Sequence, residues 1–322
     1  MKLKDIRTLW NHFFFGKEPV EGIAVFRICF GLVLIVSALF LLPGFSDWFG
    51  SHAIVQASTA ATFTGPGRLN LFSWLGDSEN TAYFIYATHL AAVVGLTLGF
   101  FTQTSAVVAF VTLVSLHHRN PLILNSGDTA LRVILFLLIF SRAGDAFSLD
   151  RWRELRRGRA SGPPAPQMPW AQRLIQLQIC LMYLATACFK LQGEAWSQGD
   201  AVYYSSRLWD FERFPVPFLY DSLWAMQGVT WVSMAIELAL GTVVWVKEWR
   251  TSILISGLLL HLSIEYSMNI PVFQWVMISL LVALVAPKDM RYLTTKMQSL
   301  WERWPLVDPP LPLPAGRRKK AA

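Results

Sequence analysis

Apolar runs long enough to cross a membrane recur along this chain, and they constrain its fold more than any other feature. The first, Gly22 to Leu42, contains a single charged residue, Arg27. A helix needs about 20 mostly apolar residues to span the hydrocarbon of a bilayer. Seven further candidate spans follow at 80–100, 104–118, 129–141, 172–191, 223–246, 251–268 and 272–286, with 129–141 short. Composition points the same way. The chain is 54% hydrophobic and 15% charged, where soluble domains run near 45–50% and about 25%. The prediction is an all-α membrane protein, a bundle of about eight transmembrane helices.

The net charge of +7 does not indicate a nucleic-acid partner, because the basic residues fall in short segments between apolar runs. That distribution is the one expected of cytoplasmic loops. With the amino terminus inside, 21 lysines and arginines lie in inner segments and four in outer ones. Both termini are therefore expected in the cytoplasm. Lys190, Asp128 and Glu265 then lie near the outer ends of their spans, on the same side as the polar, aromatic-rich connector 192–222. The three cysteines, Cys29, Cys180 and Cys188, sit in apolar spans. Cys180 and Cys188 are separated by about 12 Å of helix axis, too far to bridge.

Three regions divide the chain. Residues 1–21 place Ile6, Leu9, Trp10, Phe13 and Phe14 at helical spacing beside Lys2, Lys4 and Arg7, a pattern that suits an amphipathic helix at the cytoplasmic face. A helix packed on the bundle would leave the same trace. Residues 22–286 form the membrane domain, with a Gly65-Pro66-Gly67 turn in its first long connector. Residues 287–322 read as a basic, Pro-rich cytoplasmic tail. No internal repeat is visible.

Candidate chemistry centres on the span 172–191, where Gln176, Tyr183 and Lys190 recur every seven residues along one drifting stripe. A lysine in a dry pocket loses stability as an ammonium and becomes a general base. A lysine at a helix end can also simply snorkel to the interface. Asp128 and Arg132 are spaced as an intrahelical ion pair, and Asp128 could instead cap its helix or partner Lys190. Glu237 lies deep in its span and must be paired or protonated, with Arg132 or His261 as available partners. His261 and Glu265 are placed for a His–Glu hydrogen bond rather than for a metal site. His117 and His118 read as interfacial, and His89 as a bundle histidine. Trp196 and Tyr203 belong to the outer connector, which is either an aromatic belt or a cap over a pocket.

The segments HRNPLILNSGDTALRVILFLLIF, FSLD and QLQICLMYLATACFKLQGEAWSQGDAVYY resemble the HTTM family, the membrane domain related to vitamin K-dependent γ-glutamyl carboxylase. The likeness runs from about residue 20 to 286, and its most specific part is the FKL…W…G…YY pattern. The resemblance implies that Lys190 is the base that deprotonates a reduced quinone of vitamin K type, facing the periplasm of a bacterial inner membrane. It also implies a cofactor surface drawn from Gln176, Tyr183, Trp196, Tyr203, Glu237 and His261. Where the carboxylase has a histidine that assists oxyanion chemistry, this chain reads Asn125-Ser126-Gly127-Asp128. A carboxylate there stabilises an oxyanion only when protonated. The first two candidate functions are a carboxylase-like enzyme with Lys190 and Asp128 as catalytic groups, and a non-catalytic membrane protein that binds lipid or assists maturation of a secreted peptide. A proton-coupled transporter using Glu237, His261 and Glu265 is a third, without the repeat symmetry common to that class.

Overall fold

The computed structural model describes residues 3–64 and 68–302. The Gly65-Pro66-Gly67 turn and the Pro-rich, basic part of the tail from residue 303 onward lie outside them. Among the described residues the chain is helical and without strands, and its only β-type pairings are the isolated bridges Glu18–Gln167 and Glu212–Met268.

The eight apolar runs each form a helix: α2 (Glu21–Phe40), α3 (Glu79–Leu98), α4 (Thr102–Arg119), α5 (Ser126–Ile139), α7 (Trp170–Gln192), α8 (Leu223–Gly241), α9 (Lys247–Ser267) and α10 (Phe273–Ala283). Three further helices are α1 (Leu3–Phe15), α6 (Leu149–Arg156) and α11 (Pro287–Glu302). Four of them, α2, α3, α7 and α8, are long and apolar enough to cross a membrane. A fifth crossing results if α10 and α11, bent by 103° at their junction, count as one span.

Local sequence fixes where these helices start and stop. Ser78, Ser148 and Ser222 each cap a helix by accepting a backbone N–H three residues on. Asn125 and Asp128 form a reciprocal capping box at the start of α5, so that helix begins three residues before the predicted apolar run. Gly99 ends α3 in the left-handed region at φ 67°. A side chain there would also collide with Ser148 and Arg27, so the position demands glycine.

Outside and inside are inverted relative to a soluble protein. Large apolar side chains such as Leu32, Phe84, Leu181, Phe189, Trp224 and Leu259 are exposed on the flanks of the long helices. Arg27, His89, Gln176, Glu237, His261 and Gln274 are buried between them. A face of that size left uncovered in water would be an interaction surface; here it is a lipid-facing one. The main core joins Phe26, Phe30, Leu96, Ile134, Ile175 and Leu280 across five helices. A smaller cluster of Phe45, Phe49, Phe72, Ile85 and Leu116 seats the connector between α2 and α3.

The bundle has two dissimilar ends. At one, α1 turns Phe13 and Phe14 inward, with the Phe13 ring 5.5 Å from Trp245 and beneath the Arg173 guanidinium, while Ile6, Leu9 and Trp10 stay exposed. Arg173 also pairs with Glu18, and Arg27 donates to the carbonyls of Ala143 at 2.8 Å and Phe147 at 2.6 Å. Arg291 on α11 pairs with Glu21 at 3.3 Å, so the first part of the predicted tail is a docked helix.

At the other end the two long connectors fold over the helix tips. Arg119 donates to Asp77 at 2.8 Å, to Val55 O at 2.9 Å and to Gly50 O at 2.7 Å. Short helices at Glu194–Ser197 and Ala201–Ser205 lie against α8. Arg213 reaches Glu265 at 2.6 Å.

Candidate functional site

Helices α7 and α8 approach closely because Gly241 has no side chain. A Cβ there would stand 2.8 Å from the backbone nitrogen of Leu184. This contact lies one helical turn from Glu237 on α8, and it brings that carboxylate within reach of the end of α7. Lys190 Nζ donates to both oxygens of Glu237, at 2.7 and 2.8 Å. The Trp196 ring covers the ammonium, its centroid 4.3 Å from Nζ, a cation–π contact that strengthens as water is excluded. The lysine side chain is 20% exposed and the glutamate 10%. Neither charge could remain in an apolar bundle without the other.

Two substitutions on α8 separate close packing from helix propensity. Gly241→Ala is expected to cost about 1–3 kcal/mol by overpacking against a backbone that cannot yield. It should also lengthen the Lys190–Glu237 contact. Gly228→Ala, where a Cβ meets nothing within 4 Å, should be neutral or stabilise by up to about 1 kcal/mol. Thermal unfolding of the detergent-solubilised variants makes the comparison, and equal effects would remove the packing argument.

Two helical turns before Lys190, the Tyr183 hydroxyl lies 2.8 Å from His261 Nε2, and His261 Nδ1 lies 2.7 Å from Gln274 Oε1. Three helices, α7, α9 and α10, thus contribute one residue each to a fully buried polar chain. It is joined to the ion pair through α7, which carries both Tyr183 and Lys190. Tyr183→Phe keeps the ring and removes the hydroxyl, leaving a buried imidazole nitrogen without a partner. The expected loss is about 1–3 kcal/mol, read as a lower unfolding midpoint. No loss would mean that the hydroxyl contributes nothing to stability.

Several sequence expectations are corrected by this arrangement. Glu237 is partnered by Lys190, not by Arg132 or His261. The expected His261–Glu265 hydrogen bond does not form, because His261 turns inward to Tyr183 while Arg213 of the connector takes Glu265. Asp128 accepts from the Asn125 backbone N–H at 2.8 Å and stands 4.0 Å from His117 Nε2. It completes the capping box and is not the partner of Lys190. Arg132 reaches Thr129 at 3.4 Å. His117 is buried rather than interfacial, with Nδ1 lacking a hydrogen-bond partner.

The Gln176–Tyr183–Lys190 stripe divides between the two ends of the bundle. Gln176 donates to Ala283 O at 2.7 Å and accepts from Arg173 at 2.8 Å, bracing α10 far from the lysine. Tyr203 stacks under Arg207, whose guanidinium carbon is 3.7 Å from its ring centroid. Its short helix is tied to α8 by Val202 N–H donating to Thr230 Oγ1 at 3.3 Å. His89 bonds Thr112 at 3.0 Å within the bundle.

Gln274 is the site residue that the sequence reading passed over; its one signal is an amide alone within the apolar run FQWVMISLLVA. Among the described residues no group of three or more His, Cys, Asp or Glu could hold a metal ion.

Comparison with known proteins returned one result. Residues 15–289 match a family model described as the HTTM domain. No match was found among curated proteins or among solved structures.

Proposed function

From its membership of the HTTM family, to which this chain belongs over residues 15–289, we propose a carboxylase-like integral membrane protein whose acid–base centre is the Lys190–Glu237 pair. In this reading all eight long helices cross the membrane, with both termini in the cytoplasm and the connector end facing the periplasm of a bacterial inner membrane. The 21-to-four bias of basic residues supports that orientation. The observation that carries the function is a lysine held by a carboxylate and an indole within an apolar bundle, beside a buried Tyr–His–Gln chain.

The residues present fit a reduced quinone. A hydroxylated, lipid-soluble ring needs a proton acceptor, a face to stack on and an apolar approach. The ion pair provides the first and Trp196 the second, while Phe189, 73% exposed, and Leu191 flank the lysine on the lipid side. Bound there, such a quinol would supply the oxidation chemistry that no side chain of this chain can.

The chain's own part is proton handling. Held as an ammonium by Glu237 2.7 Å away, Lys190 acts as a base only after giving that carboxylate a proton. The free amine at Nζ can then take a proton from a hydroxyl, forming N–H as O–H breaks. The Trp196 ring covers Nζ on one side of that transfer.

The test supplies the purified protein with a reduced naphthoquinone and measures oxygen uptake and epoxide formation. Both are expected for the native chain and absent in Lys190→Met. A native chain that consumes neither quinol nor oxygen, and whose cellular phenotype survives Lys190→Met, would favour the non-catalytic reading in which it binds lipid or assists maturation of a secreted peptide.

A further inference from the structure

A second polar site lies at the α1 end, remote from Lys190. The start of α4, the loop after α5, helix α6 and the stretch to Gln167 enclose an open hollow of about 600 Å³. Arginines dominate its wall: Arg142, Arg151, Arg153, Arg157 and Arg159. The three acids among them, Asp145, Asp150 and Glu154, do not balance them. Asp150 is consumed by the first turn of α4, accepting from Phe101 N at 2.9 Å and from Thr102 N and Oγ1 at 2.8 Å. Asp145 holds Arg142 at 2.9 Å.

The remaining guanidinium groups are only partly engaged. Arg151 donates to Gly162 O at 2.8 Å, and Arg153 lies over the rings of Phe101 at 4.9 Å and Phe100 at 5.4 Å. Arg157 and Arg159 make no ion pair or side-chain hydrogen bond among the described residues. Only Glu154 is left to face them. Like charges gathered around one space repel, and a planar guanidinium pairs best with a bidentate oxyanion such as phosphate.

The surroundings narrow the source of that phosphate. Phe100, Phe101, Phe147 and Trp152 are exposed next to the hollow, and its volume far exceeds that of a bare phosphate ion. Cationic groups beside uncovered aromatic rings at the tips of membrane helices match a headgroup with its acyl chains alongside. We propose that this hollow binds the phosphodiester headgroup of an acidic phospholipid, with Arg157 and Arg159 as its principal ligands. The proposal rests on the membrane reading of the chain but not on Lys190, so either can fail without the other.

The experiment follows the thermal midpoint of the detergent-solubilised full chain during titration with phosphatidylglycerol, phosphatidylcholine or inorganic phosphate. Phosphatidylglycerol should raise the midpoint saturably, and the other two should not. R157Q/R159Q should weaken the apparent affinity on the order of 10–30-fold while leaving the lipid-free midpoint unchanged, since both side chains are exposed and make no ion pair or hydrogen bond among the described residues. R157K/R159K, which keeps the charge and loses the fork, should fall between, and it replaces the glutamine variant if that one does not fold. K247Q/K288Q, removing charges elsewhere at the same end, should stay near the native affinity. Equal losses in the glutamine and control variants would reduce the effect to diffuse surface charge and overturn the site. Equal responses to phosphatidylcholine or to inorganic phosphate would overturn it as well.

Discussion

Lys190→Met is expected to destabilise the chain by about 2–4 kcal/mol, although methionine fills nearly the same space. Breaking a buried ion pair from one side typically costs about 3–5 kcal/mol, because the remaining charge keeps its desolvation penalty without its partner. The lower range applies here because the lysine side chain remains 20% exposed. Its corollary is the sharper test. Replacing both partners, as Lys190→Met with Glu237→Leu, should recover most of the lost stability, since a matched apolar pair is often as stable as a buried salt bridge. Both variants, and Glu237→Leu alone, should be inactive in the quinol assay. A folded but inactive double variant would show that the pair is retained for chemistry rather than for stability. If instead the double variant is less stable than either single one, the two residues are not coupled as described.

The second large effect is expected at Arg119, which is 1% exposed and makes three hydrogen bonds to the connector between α2 and α3. Arg119→Met should cost about 3–5 kcal/mol, by stranding the carbonyls of Gly50 and Val55 and leaving Asp77 without its cation. Limited proteolysis should then cut between residues 43 and 79 well before global unfolding. Arg119→Lys should rescue little, since an ammonium cannot reproduce the guanidinium fork that reaches three acceptors at once. An unchanged cleavage pattern in Arg119→Met would mean that the aromatic cluster of Phe45, Phe49 and Phe72 holds the connector unaided.

How far these features could be read in the sequence depended on whether they were local. The long helices were legible because each is a contiguous apolar run, and the earlier start of α5 was written in Asn125 and Asp128 as a capping box. Helix α11 was hidden by its composition. Its polar face made residues 287–302 look like tail, whereas the buried Met290 and the Arg291–Glu21 pair show it docked.

At the site, Lys190 and Glu237 each stood out as an ionisable group in an apolar span. Their pairing across 47 positions was not visible, because it depends on which helices are neighbours and how closely Gly241 lets them approach. The His261–Glu265 spacing was a true local pattern overridden by Tyr183 and Arg213, two residues distant in sequence. Arg119 was counted only as one of four outer charges. Charge counting says which side a residue lies on and nothing about what it holds.

The Tyr183–His261–Gln274 chain has a direction, and that direction can reverse. With the Gln274 amide oxygen facing Nδ1, that nitrogen carries the imidazole hydrogen, so Nε2 is the acceptor and the tyrosine must donate. A half-turn of the amide would present its NH2 group instead. The imidazole would then shift to its other tautomer and the phenol oxygen would receive, freeing its own hydrogen to point toward the Lys190–Glu237 pair. Three side chains could thus change the polarity of a buried wire with no backbone movement, the rotation of a single carboxamide deciding which way a proton is offered.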